Sequence, residues 1–128
     1  MRTLLVAVLL LLPSVGHAQT RWVKVQDSHG QTYSIDTARV ERLPSGNLSI
    51  WTKIEFQTPQ VVNGKAAAYS VIQFWIDCER KRYAAVGGAV YSAEGHELDT
   101  MKVDEPKWQD IVPTTFLGAA ARASCGKK

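Results

Sequence analysis

Little in this chain is suited to nucleophilic or metal chemistry. Of its 128 residues, two are cysteine and three are histidine. One histidine, His17, lies in an N-terminal leader. The others, His29 in DSHGQ and His96 in AEGHELD, fall in polar turn contexts, where a solvated surface residue is the ordinary outcome. A cysteine or serine nucleophile needs a base within hydrogen-bond reach, and no Gly-x-Ser-x-Gly elbow is present. HEL at 96–98 lacks the second histidine of a zinc helix, and Gly87-Gly88 is not followed by the Gly-Lys-Ser pattern of a phosphate loop. The acidic residues Glu94, Glu97, Asp99, Asp104 and Glu105 cluster without the spaced ligands and central glycine of a calcium loop. These absences predict a non-enzymatic protein with no metal or cofactor.

Charge of one sign is lacking too. Lys and Arg total 15 against 12 Asp and Glu, a formal net charge of +3; without Arg2 it is about +2. The signs alternate along most of the chain, so the clustered basic footprint of nucleic-acid binding is missing and no nucleic-acid partner is expected. Long hydrophobic runs are limited to Leu4–Leu12, too short for a membrane helix of about 20 apolar residues. Arg2 precedes this run, and a Pro-Ser-Val break and GHA follow it. That order is a charged n-region, an h-region and a small-residue cleavage site, and it predicts a secretory signal over 1–18 and a single domain over 19–128. No cysteine stands near the cleavage point for lipid attachment. The expectation is an exported protein without a transmembrane segment, in the periplasm in preference to the cell surface or medium.

What is present begins with WIDCERKRYAA, residues 75–85, where Cys78 sits beside Glu79, Arg80, Lys81 and Arg82. Cationic neighbours lower a thiol's pKa and suggest a reactive thiolate. Export argues the other way, because the two thiols, Cys78 and Cys125, have one intramolecular pairing available in an oxidising compartment. Closing a loop of roughly fifty residues stabilises a domain by about 4 kcal/mol in the chain-entropy model.

Past the leader the dominant periodicity is two. WVKVQDS and QTYSID, joined by a turn, read as a short hairpin. TARVERL is compatible with one helical turn or a short edge strand, and PSGN is a turn. LSIWTKIEF alternates Leu48, Ile50, Ile54 and Phe56 against Ser49, Trp51, Lys53 and Glu55, the pattern of a sheet with one buried face. QTPQVVNGKAA is expected to be a connection, since Pro59 and Asn63-Gly64 oppose an unbroken strand. YSVIQFWID and YAAVGGAVYSA follow as strands around an ERKR reversal, with Gly87-Gly88 marking a bulge or a close backbone approach. EGHELD and VDEPKWQD read as polar connections. The period then changes: PTTFLGAAARASCG has a threonine N-cap at 114 or 115, an Ala-rich body and Gly126 as a stop. Leu117, Ala121 and Cys125 share one face of this helix.

The fold class expected is therefore α+β, an antiparallel sheet of about five or six strands with one C-terminal helix. Four tryptophans in so short a chain, some on the wetter strand face, point to a surface that something covers. Trp51, Trp75, Arg80, Lys81, Arg82 and Tyr83 are the candidate binding surface. Open sheet edges leave room for a homodimer.

In order along the chain, WVKV, TYSID ahead of ARV, a tryptophan in the next strand, IDCERKRY, WQDIVP before a helix, and a final cysteine resemble the surface-adhesin protein E family of Gram-negative bacteria. The resemblance runs from Trp22 to Cys125. It implies a small antiparallel sheet with a helix laid across it and a Cys78–Cys125 disulfide. It also implies adhesion to host extracellular-matrix or plasma proteins. A second reading, of another class, is a periplasmic small-ligand or lipid binder using the cleft between helix and sheet.

Overall fold

A computed structural model describes residues 20–126 of the chain; the expected signal segment lies outside them. The strands are β1 (Trp22–Ser28), β2 (Gln31–Asp36), β3 (Glu41–Arg42), β4 (Leu48–Val62), β5 (Lys65–Asp77), β6 (Arg82–Tyr91), β7 (Glu97–Lys102) and β8 (Gln109–Asp110). One helix, α1, spans Phe116–Cys125. All pairings are antiparallel, in the spatial order β1-β2-β4-β5-β6-β7, with β3 added to β4 and β8 to β6. The main path has six strands, and two short strands bring the sheet to eight, more than the five or six expected.

Alternation along β4 and β5 sends Leu48, Ile50, Phe74 and Ile76 to one face, where they pack with Ile35 and with Leu117 and Ala120 of α1. Tyr33 stacks on Phe116 at 4.3 Å between ring centroids, and Phe74 meets Phe116 and Tyr83 edge-on. The helix begins at Thr115, whose hydroxyl accepts the Gly118 N–H at 3.4 Å. Its last turn is joined to the end of β5 by the Cys78–Cys125 disulfide, with Cα atoms 5.7 Å apart. A helix this short is marginal alone in water, so packing and the bridge hold it on the sheet.

Several sequence expectations need correction. Residues 57–67 are not a connection: β4 and β5 run on to a two-residue turn at Asn63-Gly64, both at positive φ. Asn-Gly is the pair that favours this hairpin geometry. The register shifts between Glu55 and Gln60, so Pro59 lies where the ladder is interrupted and its missing N–H is tolerated. The polar segments after β6 also hold strands, β7 and β8. β7 bonds β6 alone and is exposed along most of its length, so it never needed an apolar alternation. TARVERL resolves as the edge strand, Glu41 and Arg42 pairing Ser49 and Leu48. The inward helix face is Leu117, Gly118, Ala120 and Ser124, with Ala121 and Cys125 half-buried beside it. Gly126 ends the helix with an ordinary right-handed φ of −76° rather than a left-handed cap.

Both readings of Gly87-Gly88 hold. Val86 has no partner between the Phe74–Ala85 and Gln73–Gly87 pairs. A β-carbon on Gly88 would lie 2.6 Å from the Val71 carbonyl oxygen.

Candidate functional site

The strand residues that alternate with the core point to the opposite face of the sheet, which α1 leaves uncovered. Pairing register places the side chains there. Trp51 lies across from Gln73, Ser49 from Trp75, and Lys53 from Ser34 on one side and Val71 on the other. Trp22 opposes Asp36, Glu55 opposes Tyr69, and Tyr69 opposes Tyr91.

These residues form a continuous row of rings and cations. The Arg39 guanidinium lies 4.7 Å from the Trp51 ring centroid and 5.9 Å from that of Trp22. Lys53 Nζ lies 4.6 Å from the Tyr69 ring and 6.0 Å from Trp22. Tyr69 in turn stacks on Tyr91 at 5.1 Å. A cation over an aromatic face within about 6 Å is attracted by the ring quadrupole, by about 0.5–1 kcal/mol at exposed sites. Lys53 also pairs with Glu55 at 3.2 Å.

The row is positioned from beneath by Asp36, the last residue of β2, whose side chain is fully buried. Its carboxylate accepts the backbone N–H groups of Arg21 and Ala38, each at 2.9 Å, and the Arg39 Nε–H. Burial pushes this carboxyl's pKa up. Hydrogen bonds from the Arg21 N–H, the Arg39 guanidinium and the Ala38 N–H outweigh that and leave it below the usual carboxylate range. A buried charge is tolerable only when so bonded. The carboxylate fixes Arg39 by an ion pair three residues along, leaving the guanidinium's faces to the two indoles.

Of the six residues singled out from the sequence, Trp51, Trp75 and, by its pairing with Asp77, Arg82 lie on this helix-free face. Arg80 and Lys81 occupy the β5–β6 turn, with the Arg80 side chain 80 % exposed. Arg82 pairs with Asp110 at 3.5 Å and donates to the Trp108 carbonyl at 3.3 Å. Tyr83 points the other way, edge-on to Phe74 under the helix, and its hydroxyl donates to Gln109 Oε1 at 3.1 Å. Neighbouring strand residues face opposite sides, so the six do not make one surface.

Sequence reasoning missed Trp22, Asp36, Arg39, Lys53 and Tyr69. The alternation already put Lys53 beside Trp51, and Asp followed three residues later by Arg at a strand end is a local pairing signal. What the sequence could not supply was the register that brings β1 and β5 to the same row. Among the described residues, no group of three or more His, Cys, Asp or Glu could hold a metal ion. Nor is any helix there long and apolar enough to cross a membrane.

No curated protein sequence matches the chain significantly. Among solved structures, it is similar to crystal form II of Haemophilus influenzae protein E, with a TM-score of 0.66 and 14 % identity. That match covers 84 % of this chain and 91 % of the other, and at this identity it speaks to the fold alone. The profile of surface-adhesin protein E matches residues 22–126. By that match, across almost every residue described above, the chain belongs to the surface-adhesin protein E family.

Proposed function

We propose that this protein is an exported, non-enzymatic adhesion module whose contact surface is the helix-free face of the sheet. The observation that carries the reading is the aromatic and cationic row, Trp51–Arg39–Trp22–Lys53–Tyr69, set by a buried carboxylate. Trp, Tyr and Arg are the residue types that dominate protein–protein hot spots. Side chains already held by ion pairs and ring contacts lose less entropy on binding than free ones. Family membership supports an adhesion-type role and an exported or surface location. The partner class that fits is a protein of the host matrix or plasma.

The test is binding of the purified protein to immobilised matrix and plasma proteins. Trp51→Ala combined with Arg39→Ala is expected to weaken capture at least tenfold while circular dichroism stays unchanged. A control substitution on the other face, Val112→Ser, is expected to leave capture intact. Equal binding by all three proteins would remove the row from the contact surface. Protease added to intact cells should degrade the protein; full protection would place it inside the envelope and end the adhesin reading.

A further inference from the structure

The C-terminal helix carries small residues on its packed side. At Gly118 a β-carbon would collide with the Pro113 carbonyl, so the segment before the helix lies directly against it. Between that segment, the end of β5 and the last helical turns is a cavity of about 290 Å³. Its walls include Ile76, Ile111, Ala121 and the Cys78–Cys125 disulfide. The cavity is open to solvent on one side, and this apolar part of its wall favours contact with hydrocarbon over water.

The lining is not wholly apolar. Lys81 from the β5–β6 turn and Arg122 from the helix border the same cavity. Neither forms an ion pair among the described residues. Arg122 Nη1 donates to the Pro113 carbonyl at 2.9 Å, which anchors the guanidinium and leaves further N–H groups for a ligand. The acidic lining residue, Asp77, is already matched within its own turn. It accepts the Arg80 backbone N–H at 3.1 Å and lies 3.9 Å from Arg80 Nη1.

We propose that this cavity binds a single-chain amphiphile with an anionic head. The chain lies against Ile111, Ala121 and the disulfide, over the core residue Ile76, and the head group lies against Lys81 and Arg122. The volume is at the low end of small-molecule sites, roughly 300–1,000 Å³, so the chain is of medium length. The site is on the helix side of the sheet, away from the aromatic row, and stands or falls independently of the adhesion reading.

The experiment is a titration of the full, disulfide-intact protein with sodium decanoate below its micellar concentration, followed by calorimetry and by methyl NMR. Decyl maltoside serves as the neutral probe of the same chain length. Saturable binding of decanoate is expected, with shifts at the Ile111 and Ala121 methyls, and binding of decyl maltoside about tenfold weaker. Lys81→Asn with Arg122→Gln should erase the difference between the two probes; asparagine suits the positive φ of 53° at position 81. Ala121→Leu should fill the cavity and abolish both interactions, with an unchanged far-ultraviolet spectrum showing that it folds. No saturation by decanoate, shifts confined to residues elsewhere, or equal affinity for the two probes would overturn the proposal. The wild-type methyl shifts decide the location even if a variant fails to fold.

Discussion

The two faces of the sheet are made by alternate residues of the same strands, yet they cohere by different means. Under the helix, Ile35, Leu48, Ile50, Phe74 and Ile76 pack with Leu117 and Ala120, and a covalent bridge fixes the helix end. On the open face the order comes from one buried carboxylate, Asp36, and from cations set over rings. Dispersion and hydrophobic burial are non-directional, so the covered face keeps its packing by volume. The open face has no cover, and its side chains stay in register because hydrogen bonds and ring quadrupoles are directional. One face is closed by the helix and the bridge; the other is left open, which is why we propose it as the contact surface.

That contrast can be broken from either side. The largest effect is expected on the covered face. Cys78→Ser with Cys125→Ser should lower unfolding free energy by about 4 kcal/mol, read by urea denaturation. Helical ellipticity should fall with it, while tryptophan emission from the open face should hold until the sheet itself unfolds. Simultaneous loss of both signals at low denaturant would mean that the two faces are not separable.

A smaller effect belongs to the open face. Asp36→Ala leaves the Arg21 and Ala38 N–H groups without their acceptor and should cost about 2 kcal/mol. It should also alter tryptophan emission before the helical signal changes. Its pH dependence has a definite sign. The folded carboxyl titrates below its unfolded value, so its stabilisation is complete above about pH 4 and is lost as pH falls through the lower folded value. Asp36→Asn should therefore flatten the acid limb of the stability curve, and an unchanged acid limb would assign that sensitivity to other carboxylates. The smallest expected change is Arg39→Lys, which keeps the charge but not the planar group between two indoles. About 0.5–1 kcal/mol of stability should go; a larger loss would make the row part of the fold's core cohesion.

Much of this was legible before any coordinates. The strict alternation in LSIWTKIEF and YSVIQFWID separated the faces, and a threonine cap at 114 or 115 with the Ala-rich run placed the helix. The strand through Pro59 was missed because a proline is excluded from a regular ladder but not from a bulge, and only the partner strand shows which applies. β7 was missed because an edge strand bonded on one side carries little hydrophobic pattern. The candidate surface was half legible: Trp51, Trp75 and Arg82 lie on the open face, but the turn residues Arg80 and Lys81 and the inward Tyr83 were grouped with them by nearness in sequence, although strand neighbours point apart.

By itself, then, the sequence determined the local choices: alternating strands, a capped helix, and two cysteines with only each other to pair with. Those follow from periods of two and 3.6 and from residue types acting over a few positions. The tertiary structure alone decided which distant residues meet. Register across β1, β2, β4 and β5 set Arg39 between Trp22 and Trp51 and Lys53 over Tyr69. The placement of a small-residue helix against the end of β5 left the cavity beside the disulfide. Both depend on contacts between residues far apart in the chain, fixed by hydrogen-bond ladders and packing that no local pattern encodes.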